Sequence, residues 1–106
     1  MATVCQAKFA PGHVVEHREL HYRAVVLDVD PHFLGREDWY PRDALPAPDR
    51  EQPWYRLLVD GNQYQTYVPE TDLLRDILEA PVDHSSLRTF FKGCASGRYQ
   101  PRWRSH

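Results

Sequence analysis

A chain of 106 residues, 42% hydrophobic and 12% aromatic, is enough for one modest core; it excludes a disordered polymer and a doubly wound sheet with its covering helices. No apolar run approaches the roughly 20 residues that span a bilayer, and Met1-Ala2-Thr3-Val4-Cys5 lacks the basic and apolar regions of a secretory signal, so a cytoplasmic protein without membrane contact is expected. The formal net charge of −2 conceals an asymmetry: residues 1–87 hold all fifteen acids and eight of the thirteen Lys and Arg, a balance of −7, whereas Arg88, Lys92, Arg98, Arg102 and Arg104 give the remainder +5. Phosphate neutralisation dominates affinity for nucleic acid, so DNA binding would require positive charge gathered on one face or in that terminal segment.

Nine prolines and five glycines suit short strands and turns better than long helices. Val14-Val15-Glu16-His17, approached through Pro11-Gly12, reads as a first strand. Tyr22 to Val29 reads as a second, well buried because Val25-Val26-Leu27 offers no polar alternation, and Asp28-Val29-Asp30-Pro31 ends it. Residues 31–53 contain Pro41, Pro46 and Pro48 and read as one long Pro-rich surface loop anchored by Phe33, Trp39 and Tyr40. Trp54 to Asp60 is the third strand, with Tyr55, Leu57 and Val59 on one face and Trp54, Arg56 and Leu58 on the other. Asp60-Gly61-Asn62 supplies a hairpin turn, and Tyr64 to Val68 returns as the fourth strand. A single helical or 3₁₀ turn is expected at Pro69-Glu70-Thr71-Asp72-Leu73-Leu74, and a short helix around 85–92 with Ser85 or Ser86 as its cap. The residues after Gly93 show no regular pattern. Together these elements predict a mainly β fold: a small, bent, SH3-like barrel of four to five strands with a short C-terminal helical segment.

Three constellations invite catalytic or metal chemistry and fail on inspection. Asp28 and Asp30, two apart on a strand, imitate the aspartate pair of a phosphotransferase, but Pro31 follows and the chain cannot hold the parallel sheet such enzymes need. Solvent exposure, capping of the turn, or pairing with an arginine such as Arg23 explains them better. His13, His17 and His21 fall four apart, which on a strand separates successive rings by about 13 Å, too far for one ion. Asp83-His84-Ser85-Ser86 has the residue types of a hydrolase triad without a nucleophile elbow, and a helix start accounts for it. Cys5 and Cys94 lack CxxC spacing; they read as two free thiols, with a bridge between the termini as the alternative. No catalytic residue, metal or cofactor is therefore expected.

Lys8-Phe9, Gly12-His13-Val14-Val15-Glu16-His17-Arg18, Tyr22 through Phe33, Gln52-Pro53-Trp54-Tyr55 and Tyr67-Val68-Pro69-Glu70-Thr71-Asp72-Leu73-Leu74 form an ordered set of motifs. In that order they resemble the YccV-like hemimethylated-DNA-binding family over about residues 8–84. The resemblance implies an SH3-like β-barrel domain at 8–84; the residues beyond it read as a short helix and a basic tail at 85–106, with the order of that tail left open. It implies no catalytic residues and no required cofactor. Two roles attach to the family: recognition of hemimethylated DNA, linked to replication control, and, in its heat-shock HspQ branch, modulation of Lon-type proteolysis. Ala24 departs from the family pattern, in which glycine is frequent after the arginine, and the segment from Arg88 onward is more basic than the resemblance predicts.

The expectation is thus a non-enzymatic module for double-stranded, hemimethylated DNA, with a protein-interaction adaptor for a Lon-type protease or its substrates as the alternative; self-association fits either. Arg18 and Arg23 flank the turn between the first two strands, and Arg98, Arg102 and Arg104 are candidate phosphate contacts. Trp39, Trp54 and Trp103 are candidate contacts to a base or a partner protein.

Overall fold

The computed structural model describes residues 6–78, 80–95 and 97–102. Its main sheet grows from the two strongest apolar runs in the chain. β2 (Arg23–Asp30) lies between β1 (Val14–His17) and β3 (Trp54–Val59), and β4 (Gln65–Pro69) and β5 (Leu73–Arg75) complete an antiparallel sheet of order β4-β3-β2-β1-β5. Residues 31–53 contain no strand; Glu37–Trp39 forms a 3₁₀ turn there. Gly61 takes φ +84°, the left-handed conformation that closes the β3–β4 hairpin, and the expected short turn after β4 is a 3₁₀ turn at Glu70–Asp72.

A strand apolar on both sides must be covered on both, and β2 is. One face of the sheet buries Val15, Ala24, Val26, Tyr55, Leu57 and Leu73, with Phe9, Tyr22, Val29 and Val68 packed around them. The other buries Val14, Val25, Leu27 and Leu58 against Val82, Phe91 and Tyr99. The last two residues belong to a hairpin of β6 (Phe91–Ala95) and β7 (Arg98–Pro101), which follows the single helical turn α1 (Leu87–Phe90). Gly12 ties this hairpin to the sheet: at φ +94° it donates to the Val26 carbonyl (2.8 Å) while its own carbonyl accepts the Tyr99 N–H (2.8 Å).

Strict alternation along β2 would have carried Asp28 onto the buried side with Ala24 and Val26. A bulge between Val26 and Asp28 prevents it: Val29 pairs with Tyr55 and joins the core, while Asp28 falls opposite Arg56 and Asp30 opposite Trp54.

Three expectations are corrected. The strands do not close a barrel, because β4 and β5 are the two edges of the sheet and share no ladder. Seven strands are present among the described residues rather than four or five. The C-terminal helix stops at Phe90, and the residues after it, expected to lack a pattern, form β6 and β7; Phe91 and Tyr99 enter the core only as opposite members of that hairpin. Ser86 stands at the helix start but makes no capping bond through its side chain; His84 Nδ1 accepts the Ser86 N–H (3.0 Å), so its Nε2–H donates to the Tyr64 carbonyl (3.1 Å). No helix among the described residues is long and apolar enough to cross a membrane.

Candidate nucleic-acid interface

The segment before β1 is pinned from beneath. The Tyr55 hydroxyl donates to Glu70 (2.6 Å) and accepts the Phe9 N–H (3.2 Å), the Phe9 ring packs edge-on against Tyr55, and the Lys8 N–H reaches Glu70 (2.7 Å). Burial, reinforced by the Glu70 contact, pushes the Tyr55 phenol well above its ordinary range, so the hydroxyl stays a donor. Lys8 is thereby set beside β5 and the start of β7. Between these elements opens a cleft of about 550 Å³ whose lining includes Lys8, His13, Arg75, Ile77 and Arg98.

The cleft is electropositive. The side chains of Lys8, Arg75 and Arg98 form no ion pair with an acid among the described residues. Among the described residues the one acid in the lining is Asp76, and Arg23 donates from Nε (3.0 Å) and Nη2 (3.1 Å) to its two oxygens. His13 accepts the Ala10 N–H at Nδ1 (3.2 Å). Its imidazole is held below the usual histidine range, first by partial burial and then by the charges of Arg98 and Arg75. Three cations lining one cleft without an acid partner among the described residues favour an anionic oxygen ligand, such as phosphate.

Of the DNA- or partner-binding residues expected from the sequence, Arg98 alone among those described lies in this cleft. Arg18 is exposed beside the 3₁₀ turn, its Nε donating to the Thr71 carbonyl (3.1 Å). Arg23 is not a surface contact: besides Asp76 it reaches Asp60 (3.5 Å) and the carbonyls of Ala80 and Pro81, and Asp76 is the main cause of its raised pKa. Arg102 is exposed and donates to the Arg88 carbonyl (2.6 Å). Trp103 and Arg104 lie outside the described residues, as does Cys5; Cys94 is an exposed free thiol.

The two remaining tryptophans separate in role. Trp54 is 1% exposed and stacks on Tyr67 (5.5 Å between centroids) while Phe33 meets it edge-on (5.0 Å), so it is a core residue and not a surface contact. Trp39 is 48% exposed, edge-on to Tyr67 (6.0 Å) beneath the Arg36 guanidinium, and together with Arg56 and Gln65 it lines a second cleft of about 530 Å³. Tyr67 donates to Asp30 (2.6 Å), and burial together with that carboxylate pushes its phenol up to about 12. Asp28 faces Arg56 at 3.9 Å, so neither aspartate pairs with Arg23. The three histidines of the four-residue repeat diverge: His13 lines the cleft, His17 is buried beside Asp72 (3.7 Å), and His21, at φ +60°, meets Glu16 (3.1 Å) in solvent.

Lys8, His13 and Arg75 were missed by sequence reasoning. Charge summed along the chain assigned Lys8 and Arg75 to the acidic body, and only the pairing of β5 with β1, Val15 opposite Arg75, brings them beside Arg98. A family model described as "Hemimethylated DNA-binding protein YccV like" matches residues 7–98, a span that includes every one of these cleft residues. With most of its length so matched, the chain belongs to the YccV-like family.

Proposed function

We propose that this chain is a non-enzymatic module that binds double-stranded DNA and distinguishes the hemimethylated duplex, with the phosphate backbone seated at the Lys8–Arg75–Arg98 cleft. The observation that carries the reading is the convergence of those three side chains without an acid partner among the described residues. The family's description supports the choice of ligand. Freshly copied DNA is hemimethylated, so this reading places the module in replication control. Phosphate contacts position a duplex without reading its sequence or methylation, so discrimination must come from groups that touch the bases.

Fluorescence anisotropy with hemimethylated, fully methylated and unmethylated duplexes of one sequence tests the proposal. The hemimethylated duplex should bind tightest, and the combined Lys8→Gln, Arg75→Gln, Arg98→Gln variant should weaken all three duplexes by a similar factor of about tenfold or more. Absence of binding at low salt would remove the DNA reading. Equal binding of the three duplexes would leave a nonspecific binder.

A second reading, an adaptor for a Lon-type protease, is favoured by a different surface. Trp39 and Leu34 are exposed in the 31–53 segment and do not line the Lys8–Arg75–Arg98 cleft, and an exposed tryptophan of this kind is a common interface anchor. Degradation assays with added wild-type protein and with Trp39→Ala discriminate: the adaptor reading requires that turnover respond to the first and not to the second.

A further inference from the structure

The loop that follows β5 presents apolar side chains at the rim of the cationic cleft. Ile77 is 85% exposed and Leu78 68% exposed, and Ile77 lines the cleft itself. Exposure of this kind usually ends in collapse onto the nearest apolar surface, but the loop is fixed at both ends. The Asp76 N–H donates to the Val14 carbonyl (3.2 Å), and the single guanidinium of Arg23 holds the Asp76 carboxylate together with the carbonyls of Ala80 and Pro81. At the far end the Val82 N–H is bound by the Tyr99 hydroxyl (2.8 Å). Arg23 thus draws Asp76, Ala80 and Pro81 together, and Ile77 and Leu78 belong to the segment between them.

We infer that Ile77 and Leu78 are an apolar wedge that enters the minor groove and partly unstacks a base step while Lys8, Arg75 and Arg98 hold the adjacent phosphates. The inference rests on the DNA reading above and adds to it the element that reaches the bases. Charge decides the occupant: Arg75 precedes Ile77 by two residues, and Lys8 and Arg98 line the same cleft, whose acid among the described residues, Asp76, is bound by Arg23. Branched aliphatic side chains are among those that insert between base steps in minor-groove binders, and phosphates flank every such step. A protein partner fits less well, since two side chains fall far short of the roughly 800 Å² that a stable interface buries on each side. A wedge also bears on discrimination, because the cost of unstacking depends on the stiffness of the step it enters.

The test uses the full chain and a short duplex carrying 2-aminopurine at successive positions, with donor and acceptor dyes at its ends. Wild type should raise 2-aminopurine fluorescence at one step and shorten the end-to-end distance. Ile77→Ala with Leu78→Ala should abolish both signals and weaken binding about tenfold, leave the slope of log K against log salt unchanged, and preserve the circular dichroism spectrum. Ile77→Leu with Leu78→Met should restore the fluorescence. Binding by wild type without any change in stacking or end-to-end distance overturns the wedge but not the DNA reading, whereas failure of wild type to bind at low salt overturns both. An alanine variant that bends and unstacks the duplex as wild type does also overturns the wedge, and leaves the loop tip as a surface for a protein.

Discussion

His13 reports the potential of the cleft from within. Partial burial disfavours its charged form, and Arg98 and Arg75 disfavour it further, so its folded pKa lies below the unfolded value of about 6.5. The unfolded chain therefore binds the extra proton more readily. This group's contribution to stability falls as pH drops from about 6.5 to the folded pKa, and below that value the penalty is complete. An NMR titration of the imidazole should give a midpoint below 6.5 in wild type, shifted upward in Arg98→Gln. A bound duplex should raise it as well, because phosphate favours the imidazolium. A midpoint indifferent to Arg98→Gln would mean that the cations do not act together. Arg23 calls for the opposite test. Its guanidinium and the Asp76 carboxylate are both largely buried, so Arg23→Met takes the guanidinium from a buried carboxylate and should cost about 3–5 kcal/mol in urea unfolding, with much of that regained by adding Asp76→Leu. In the sequence Arg23 looked like any arginine beside a turn. Asp76 lies too far along the chain for local pattern to reveal the pair, and the same distance hid Lys8 and Arg75 from Arg98.

Elements were legible where apolar pattern alone decides them. β2 and β3 could be placed because Ala24-Val25-Val26-Leu27 and Trp54-Tyr55-Arg56-Leu57-Leu58-Val59 have strong strand preferences, and Asp60-Gly61 supplies the left-handed turn that β4 requires. The bulge was not legible, since nothing local distinguishes Leu27 as the extra residue; the need to turn Asp28 out of the core appears only once the pairing with β3 is known. β6 and β7 were hidden for a related reason. Lys92-Gly93-Cys94 and Arg98-Tyr99-Gln100 are individually weak strands, and docking onto a ready sheet face stabilises them. That docking is testable at two points. Gly12→Ala combines a φ of +94° with a methyl driven into the Tyr99 carbonyl oxygen, so it should cost more than the ~1–2 kcal/mol of left-handed strain alone. Tyr99→Phe removes only the hydroxyl that binds the buried Val82 N–H and should cost about 1–3 kcal/mol. Thermal unfolding monitored by near-UV circular dichroism would rank the two. If Gly12→Ala matches wild type, the hairpin is not held as described.

At the scale of the whole molecule the question is how a chain of net charge −2 approaches a polyanion. Much of the acid is already neutralised within the fold. Glu37 sits between Arg50 (2.6 Å) and Arg42 (3.4 Å), Arg36 pairs with Asp38 (2.9 Å), and Arg23 absorbs Asp76 and Asp60. These pairs commit Arg23, Arg36, Arg42 and Arg50 away from the cleft, whereas Lys8, Arg75 and Arg98 line it without an acid partner among the described residues. A duplex should therefore approach in one orientation, and association should be sensitive to salt although the number of phosphates engaged is small. With one phosphate neutralised by each cleft cation, log K should fall against log salt with a slope of about −2.7, and each single replacement by glutamine should flatten it by about 0.9. Glutamine at Arg18 or Arg102, which lie outside the cleft, should leave the slope unchanged. If those two variants flatten the slope as much as Arg75→Gln does, phosphate contact is spread over the surface and the cleft has no special claim to it.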